Sequence, residues 1–197
     1  MRVISGSARG RKLKGPPSQA TRPMTGKLKG AVFNSLASLG VQPVRVLDLF
    51  AGTGAIGIEA LSRGARHADF VDMGREPCAV IRANLAATGF ADAATVHQMP
   101  VDVFIERGTE PYDLIFMDPP YADPEIIPTL AKLERSGLVQ SGSIVVLGHS
   151  KRVEPPDRVG RFEALRHRCH GDTCFSIYEL VDEEMPDAHG PGKGDNG

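Results

Sequence analysis

The chain has no tryptophan, few aromatic residues and only three cysteines among its 197 residues. Cys78, Cys169 and Cys174 form no CxxC pair, and their odd number fits a reducing cytoplasm better than a disulfide framework. No apolar run approaches the roughly twenty residues that a membrane-crossing helix needs. The N-terminus is basic and lacks the apolar stretch and cleavage site of a secretory signal. The most informative absence is of acid. Residues 1–47 hold nine Lys or Arg and no Asp or Glu, while the other 150 hold fourteen Lys or Arg and twenty-four acids. The formal net charge of −1 therefore conceals a one-sided basic block, the electrostatic footprint of a surface for a polyanion. The length predicts one domain with small additions, enough to bury a sizeable core.

What is present centres on residues 46–65, VLDLFAGTGAIGIEALSRGA. Val46, Leu47 and Leu49 predict a short buried strand with Asp48 near its end. Gly52, Gly54 and Gly57 follow, then the apolar Ile56, Ile58, Ala60 and Leu61 of a helix. Strand, glycine turn and helix make the first unit of a doubly wound sheet, in which a ligand can lie against the bare main chain. The glycine spacing also fits a dinucleotide, with Asp72 near the place of its ribose acid. Asp48 and Phe50 flank the turn, however. A carboxylate there suits the cationic amino end of a methionine and repels a pyrophosphate.

The rest of the chain alternates. Strands are predicted over 67–71, 94–97, 112–117 and 143–147, and helices over 76–88, 101–106 and 124–135. A closing antiparallel pair is expected over 161–168 and 173–180. The result is an α/β fold with a doubly wound, mostly parallel, seven-stranded sheet. Ahead of it, residues 2–14 read as a basic hairpin, and 25–39 as a helix whose apolar stripe is Leu28, Val32, Leu36 and Leu39, with Lys27 and Lys29 off the stripe. The division expected is 1–40 as a basic hairpin-and-helix extension, 41–181 as the catalytic domain, and 182–197 as an acidic, Gly- and Pro-rich disordered tail. Asp48, Asp72 and Asp118 each close a predicted strand, which places them around one crevice at the carboxyl edge of the sheet.

Asp118-Pro119-Pro120-Tyr121 is the candidate reacting turn. The lone pair of an exocyclic base amine is delocalised into the ring, so the amine is a weak nucleophile. The Asp118 carboxylate and the Pro119 carbonyl can accept its two hydrogens and aim the lone pair at a methyl group. Two prolines stiffen the turn, and Tyr121 offers a ring for a base to stack on. A methyl group carried on a sulfonium is already activated, so positioning and electrostatics suffice.

These segments together resemble the bacterial 16S rRNA guanine-N2 methyltransferases of the RsmD type, class I enzymes with a Rossmann-like sheet. The opening MRVISGSARGRKLKGP resembles that family's N-terminal hairpin, TRPMTGKLKGAVFNSL its TRPTTDRVREALFN segment, and HGDTCFSIYEL its closing strands. The resemblance implies methyl transfer from S-adenosylmethionine to the N2 amine of guanine 966 in 16S rRNA, within an assembling small subunit. A monomeric cytoplasmic enzyme with no metal is expected. Cofactor binding falls to Asp48, Phe50, Ala51, Gly52, Thr53, Gly54, Asp72, Met73 and Val101, and catalysis to Asp118, Pro119, Pro120 and Tyr121. RNA binding falls to Arg9, Arg11, Lys12, Lys14, Arg22 and Lys27. The chain departs from the family at Met24, at Gly26 and Gly30, at Gly74 after the ribose acid, and at Gly148 where a glutamate is usual. Pro100 replaces an adenine-binding Asp or Asn, which leaves that task to the Val101 main chain, Asp102 or stacking.

Other candidates are weaker. His167, Cys169, His170 and Cys174 lie close in sequence, but strand alternation sets His167 and Cys169 against His170 and no standard zinc spacing occurs. Glu59 fits either a ligand contact or a helix-face salt bridge. His149 reads as a packed strand-end residue. The competing functions are a DNA adenine-N6 methyltransferase, for which the chain has little room to carry a base-reading domain, and a non-catalytic RNA-binding protein, against which the intact turns argue.

Overall fold

The computed structural model describes residues 1–15, 26–119 and 125–182. Its elements in chain order are α1 (Gly26–Ser38), β1 (Arg45–Leu49), α2 (Ala55–Ser62), β2 (His67–Asp72), α3 (Arg75–Thr88), β3 (Ala94–Gln98), α4 (Val101–Arg107), β4 (Leu114–Met117), α5 (Ile126–Glu134), β5 (Ile144–Ser150), β6 (Arg158–Val159), β7 (Phe162–His170) and β8 (Thr173–Leu180). They build one sheet in the order β3-β2-β1-β4-β5-β8-β7-β6. The run from β3 to β5 is parallel, and β8, β7 and β6 follow antiparallel.

The sheet has eight strands where seven were expected. The eighth, β6, pairs only Arg158 with Glu163 and Val159 with Phe162. Two residues after a Pro-Pro step carry no alternation that a sequence could display. The central strands are buried on both faces, which is why they read as continuous apolar runs. Alternation divides them all the same. Val46, Phe70, Leu114, Phe116 and Val146 pack on the side of α1, α2 and α3, with Val32, Ile58 and Ile81. Leu47, Leu49, Ile115, Met117 and Leu147 pack on the other side, with Leu130, Leu133 and Tyr178. Pro128 sits in the first turn of α5, where a missing N–H costs no helical bond.

The N-terminal segment is not the expected pair of strands. A single bridge joins Arg2 and Lys12. Val3 N–H to Arg11 O and Gly10 N–H to Val3 O still join the two arms, but donors nearer the turn bond to α2. The Ile4 and Ser5 N–H groups bond Glu59 Oε2 and Oε1 at 2.8 and 2.9 Å, and the Ala8 N–H bonds Ser62 Oγ at 3.0 Å. Val3, Ala8 and Leu13 join the first apolar layer. Lys29, off the apolar stripe of α1, is nonetheless buried, with Nζ 2.9 Å from Glu59 Oε2. Glu59 also holds Arg63 one turn on at 3.0 Å and is fully buried. Of its two readings, the ion pair is the one observed. The helix cap at Thr25 and the tail beyond Asp182 lie outside the described residues.

Candidate active site

The sheet order reverses between β1 and β4, and at such a switch point the carboxyl ends of the strands open a crevice. Asp48 lies one residue before the end of β1, Asp72 is the last residue of β2, and Asp118 follows β4 directly. The structure brings the three acids together as the strand ends implied.

Asp48 is buried, and its Oδ2 accepts the Gly57 N–H at 3.0 Å from the start of α2. Its carboxyl is raised well above the usual range, chiefly by burial. The Gly57 hydrogen bond opposes this, and the negative charges of Asp118 and Asp72 add to it. A side chain at Gly57 would run into the Phe70 ring and crowd the Asp48 carboxylate, so the third glycine of the turn is a packing requirement. Phe50, between strand and turn, holds a left-handed φ of 59°. A bulky residue there is strained, and such strain collects where a chain is shaped around a ligand. The turn is tied down by Ala51 N–H to Val71 O at 3.0 Å and Gly54 N–H to Ala51 O at 2.7 Å.

Asp72 is fastened from both sides. Oδ2 accepts the Gly52 N–H at 2.9 Å and Oδ1 the Gly74 N–H at 2.8 Å. Two of roughly four lone-pair positions on a carboxylate remain for a ligand's hydroxyls. Met73, next along, is 75% exposed. Val101 is buried at the start of α4.

Asp118 is half-buried, and burial pushes its carboxyl up to about 6. The carboxyl packs against Gly148 on β5, where a Cβ would overlap it. The departure from glutamate at 148 thus makes the recess into which Asp118 fits. Pro119 is buried beside it, while Pro120 and Tyr121 lie outside the described residues.

The exposed basic residues Arg9, Arg11, Lys12, Lys14 and Lys27 are free to face a polyanion, and Arg22 lies outside the described residues. Arg11 is steadied by Nη1 donating to Ala87 O at 2.9 Å. One residue escaped the sequence reading. Asn84 on α3 is buried, its Oδ1 accepts the Lys14 N–H at 2.7 Å, and its Nδ2 donates to Thr53 O at 2.9 Å. It stitches the basic segment to the glycine turn. An amide at a buried position of an amphipathic helix was the available signal. His149 is packed as expected, with its Nδ1 bonded to Ser150 O and its Nε2 to Ser176 Oγ, and burial lowers its proton affinity.

A parallel five-stranded run closed by an antiparallel hairpin, with its acids gathered at the switch point, defines a class I methyltransferase fold. Within that class, the chain belongs to the family described as Conserved hypothetical protein 95, the RsmD family, whose pattern matches residues 1–179. YlbH of Bacillus subtilis, provisionally named an rRNA methyltransferase, is 34% identical over 182 residues, covering 91% of this chain and 98% of its own. The Escherichia coli protein named ribosomal RNA small subunit methyltransferase D is 30% identical over 188 residues, covering 95% and 94%. A solved Escherichia coli structure, provisionally named methyltransferase yhhF, superposes with a TM-score of 0.80 at 31% identity over 92% of this chain and 98% of that one.

Proposed function

We propose that this protein transfers a methyl group from S-adenosylmethionine to the exocyclic N2 amine of guanine 966 in 16S rRNA, acting as a cytoplasmic monomer on an assembling small subunit. The observation that carries the reading is the crevice of three converging carboxylates, with Asp48 raised by burial and by its acidic neighbours. Such a crevice favours a ligand bearing positive charge and disfavours a pyrophosphate.

S-adenosylmethionine supplies a sulfonium and an α-ammonium group, and with them a methyl group already activated for transfer. Asp48 would face the ammonium side, along the turn formed by Phe50, Ala51, Gly52, Thr53 and Gly54. Asp72 would take the ribose hydroxyls on its two remaining lone-pair positions, and Met73 and the Val101 main chain would border the adenine. Asp118 and the Pro119 carbonyl would accept the two hydrogens of the guanine amine, with Pro120 stiffening the turn and Tyr121 stacking on the base. As the N–C bond forms, the amine becomes cationic. It then loses one proton to the Asp118 carboxylate, or through it to solvent. The N-terminal forty residues would hold RNA through Arg9, Arg11, Lys12, Lys14, Arg22 and Lys27. The relatives' names for rRNA methylation and the acid-free basic block support RNA over a small molecule.

Asp118→Ala tests the assignment. Turnover should fall by about 100-fold or more, as for loss of an interaction made in the transition state, while calorimetry should find the cofactor affinity within about threefold of the parent. Full turnover in this variant would sink the assignment.

A further inference from the structure

The β7–β8 hairpin carries a cluster that methyl transfer does not use. Cys169 and Cys174 are partners in the strand register and are joined as a disulfide. His167, on the same strand as Cys169, sets Nε2 3.4 Å from the Cys169 sulfur. Its Nδ1 is held by Ser176 Oγ at 3.0 Å. The ligand atoms of His167, Cys169 and Cys174 lie within 4.8 Å of one another. Cys174 is buried, whereas His167 and Cys169 are exposed, so the cluster opens to solvent on one side. Along one strand, alternation sets His167 and Cys169 against His170, but the hairpin brings Cys174 back opposite Cys169 on the other strand.

One imidazole and two thiolates form a soft N/S donor set suited to Zn²⁺, with a fourth position left for water. A metal-binding histidine has one ring nitrogen fixed by a hydrogen bond and the other turned to the ion. With its proton on Nδ1, His167 donates to Ser176 Oγ, which leaves the Nε2 lone pair turned to the sulfurs. We propose that, once the disulfide is reduced, Cys169 Sγ, Cys174 Sγ and His167 Nε2 bind one Zn²⁺ ion. A dithiol reductant supplies two electrons and two protons and is itself oxidised to a disulfide, and the S–S bond of the chain becomes two thiols. The ion displaces both thiol protons to solvent. Disulfide and ion are thus alternative cross-links of the same strands. The cluster touches the end of β5: the His149 ring stacks on His167 with centroids 5.3 Å apart and shares Ser176 Oγ. His149 follows Gly148, against which Asp118 packs. The site stands independently of the methyl-transfer reading.

The test is Co²⁺ titration of the full chain, fully reduced with a phosphine and kept free of oxygen. One Co²⁺ per chain should bind, with thiolate-to-cobalt charge-transfer absorption in the near ultraviolet, and Zn²⁺ should displace it. Loss of outer-sphere partners costs metal sites about 10–100-fold in affinity, so loss of a ligand in Cys169→Ser or His167→Ala should cost at least about 100-fold. Both positions are exposed, so both variants should fold. Absence of the charge-transfer band after complete reduction would overturn the proposal and leave the hairpin with a disulfide only. An undiminished band in Cys169→Ser would also overturn it and assign the signal to the remaining thiols.

Discussion

Asp118→Asn should stabilise the protein while impairing it. Burial moves the Asp118 carboxyl from its ordinary 3.8 to about 6, and each tenfold change in proton affinity is about 1.4 kcal/mol. Ionised at pH 7, the group therefore costs folding about 3 kcal/mol. The sign follows from the direction of the shift. Between 3.8 and 6 the folded chain holds a proton that the unfolded chain has released, so stability falls as pH rises through this window. Below 3.8 both states are protonated and the cost vanishes. An amide carries no charge to desolvate, although its own polar atoms need partners, so a gain of about 1–3 kcal/mol is expected at pH 7. At roughly 2–4 °C per kcal/mol for a chain of this size, Tm should rise by about 2–12 °C. The assay is thermal unfolding of ligand-free parent and variant at pH 7 and pH 4. The gap should be present at the first and mostly gone at the second. Equal Tm values at pH 7, or a gap independent of pH, would refute the claim that burial of this carboxylate is what raises it.

Four further outcomes follow from the same geometry. Lys29→Met should lower stability by about 2–4 kcal/mol in denaturant unfolding, since it removes one cation from a fully buried Glu59. Burial alone would raise the Glu59 carboxyl, but the Ile4 N–H, Lys29 and Arg63 together hold it below its ordinary range. Its contribution is present above its unfolded value and disappears as pH falls through its folded one, so hydrogen exchange at Ile4 and Ser5 should quicken in acid ahead of the core strands. Gly148→Ala should displace the Asp118 carboxyl and lower kcat by about 10–100-fold, with cofactor affinity almost unchanged. Charge reversal at Arg9, Arg11 and Lys12 should raise the RNA KM and flatten its log–log salt dependence by about 0.7–0.9 for each phosphate no longer neutralised.

What the sequence made legible was whatever local pattern encodes. The strand, glycine turn and helix of residues 46–65 appear as expected, and the acids at 48, 72 and 118 meet because each closes a parallel strand. The features that stayed hidden depend on partners distant in sequence. Residues 2–14 have a hairpin's spacing and keep some cross-arm bonds, but the Ile4, Ser5 and Ala8 donors are taken by Glu59 and Ser62, more than fifty residues away. Lys29 lies off the apolar stripe of α1 and is nonetheless buried, because an acid on α2 waits opposite. Asn84 and Gly148 act through their packing against Lys14, Thr53 and Asp118, which no periodicity registers. The His167 cluster needed a register across a hairpin, which strand alternation alone does not supply.

The most direct test of the central claim is transfer of labelled methyl groups from S-adenosylmethionine to small-subunit particles, purified 16S rRNA and duplex DNA, each taken from a strain lacking the gene, with the labelled nucleoside identified by mass. N2-methylguanosine in 16S rRNA is the result expected, and the particle-to-free-RNA ratio would show whether bound protein is needed. N6-methyladenine in the DNA, or no label in any substrate although the cofactor binds, would contradict the account.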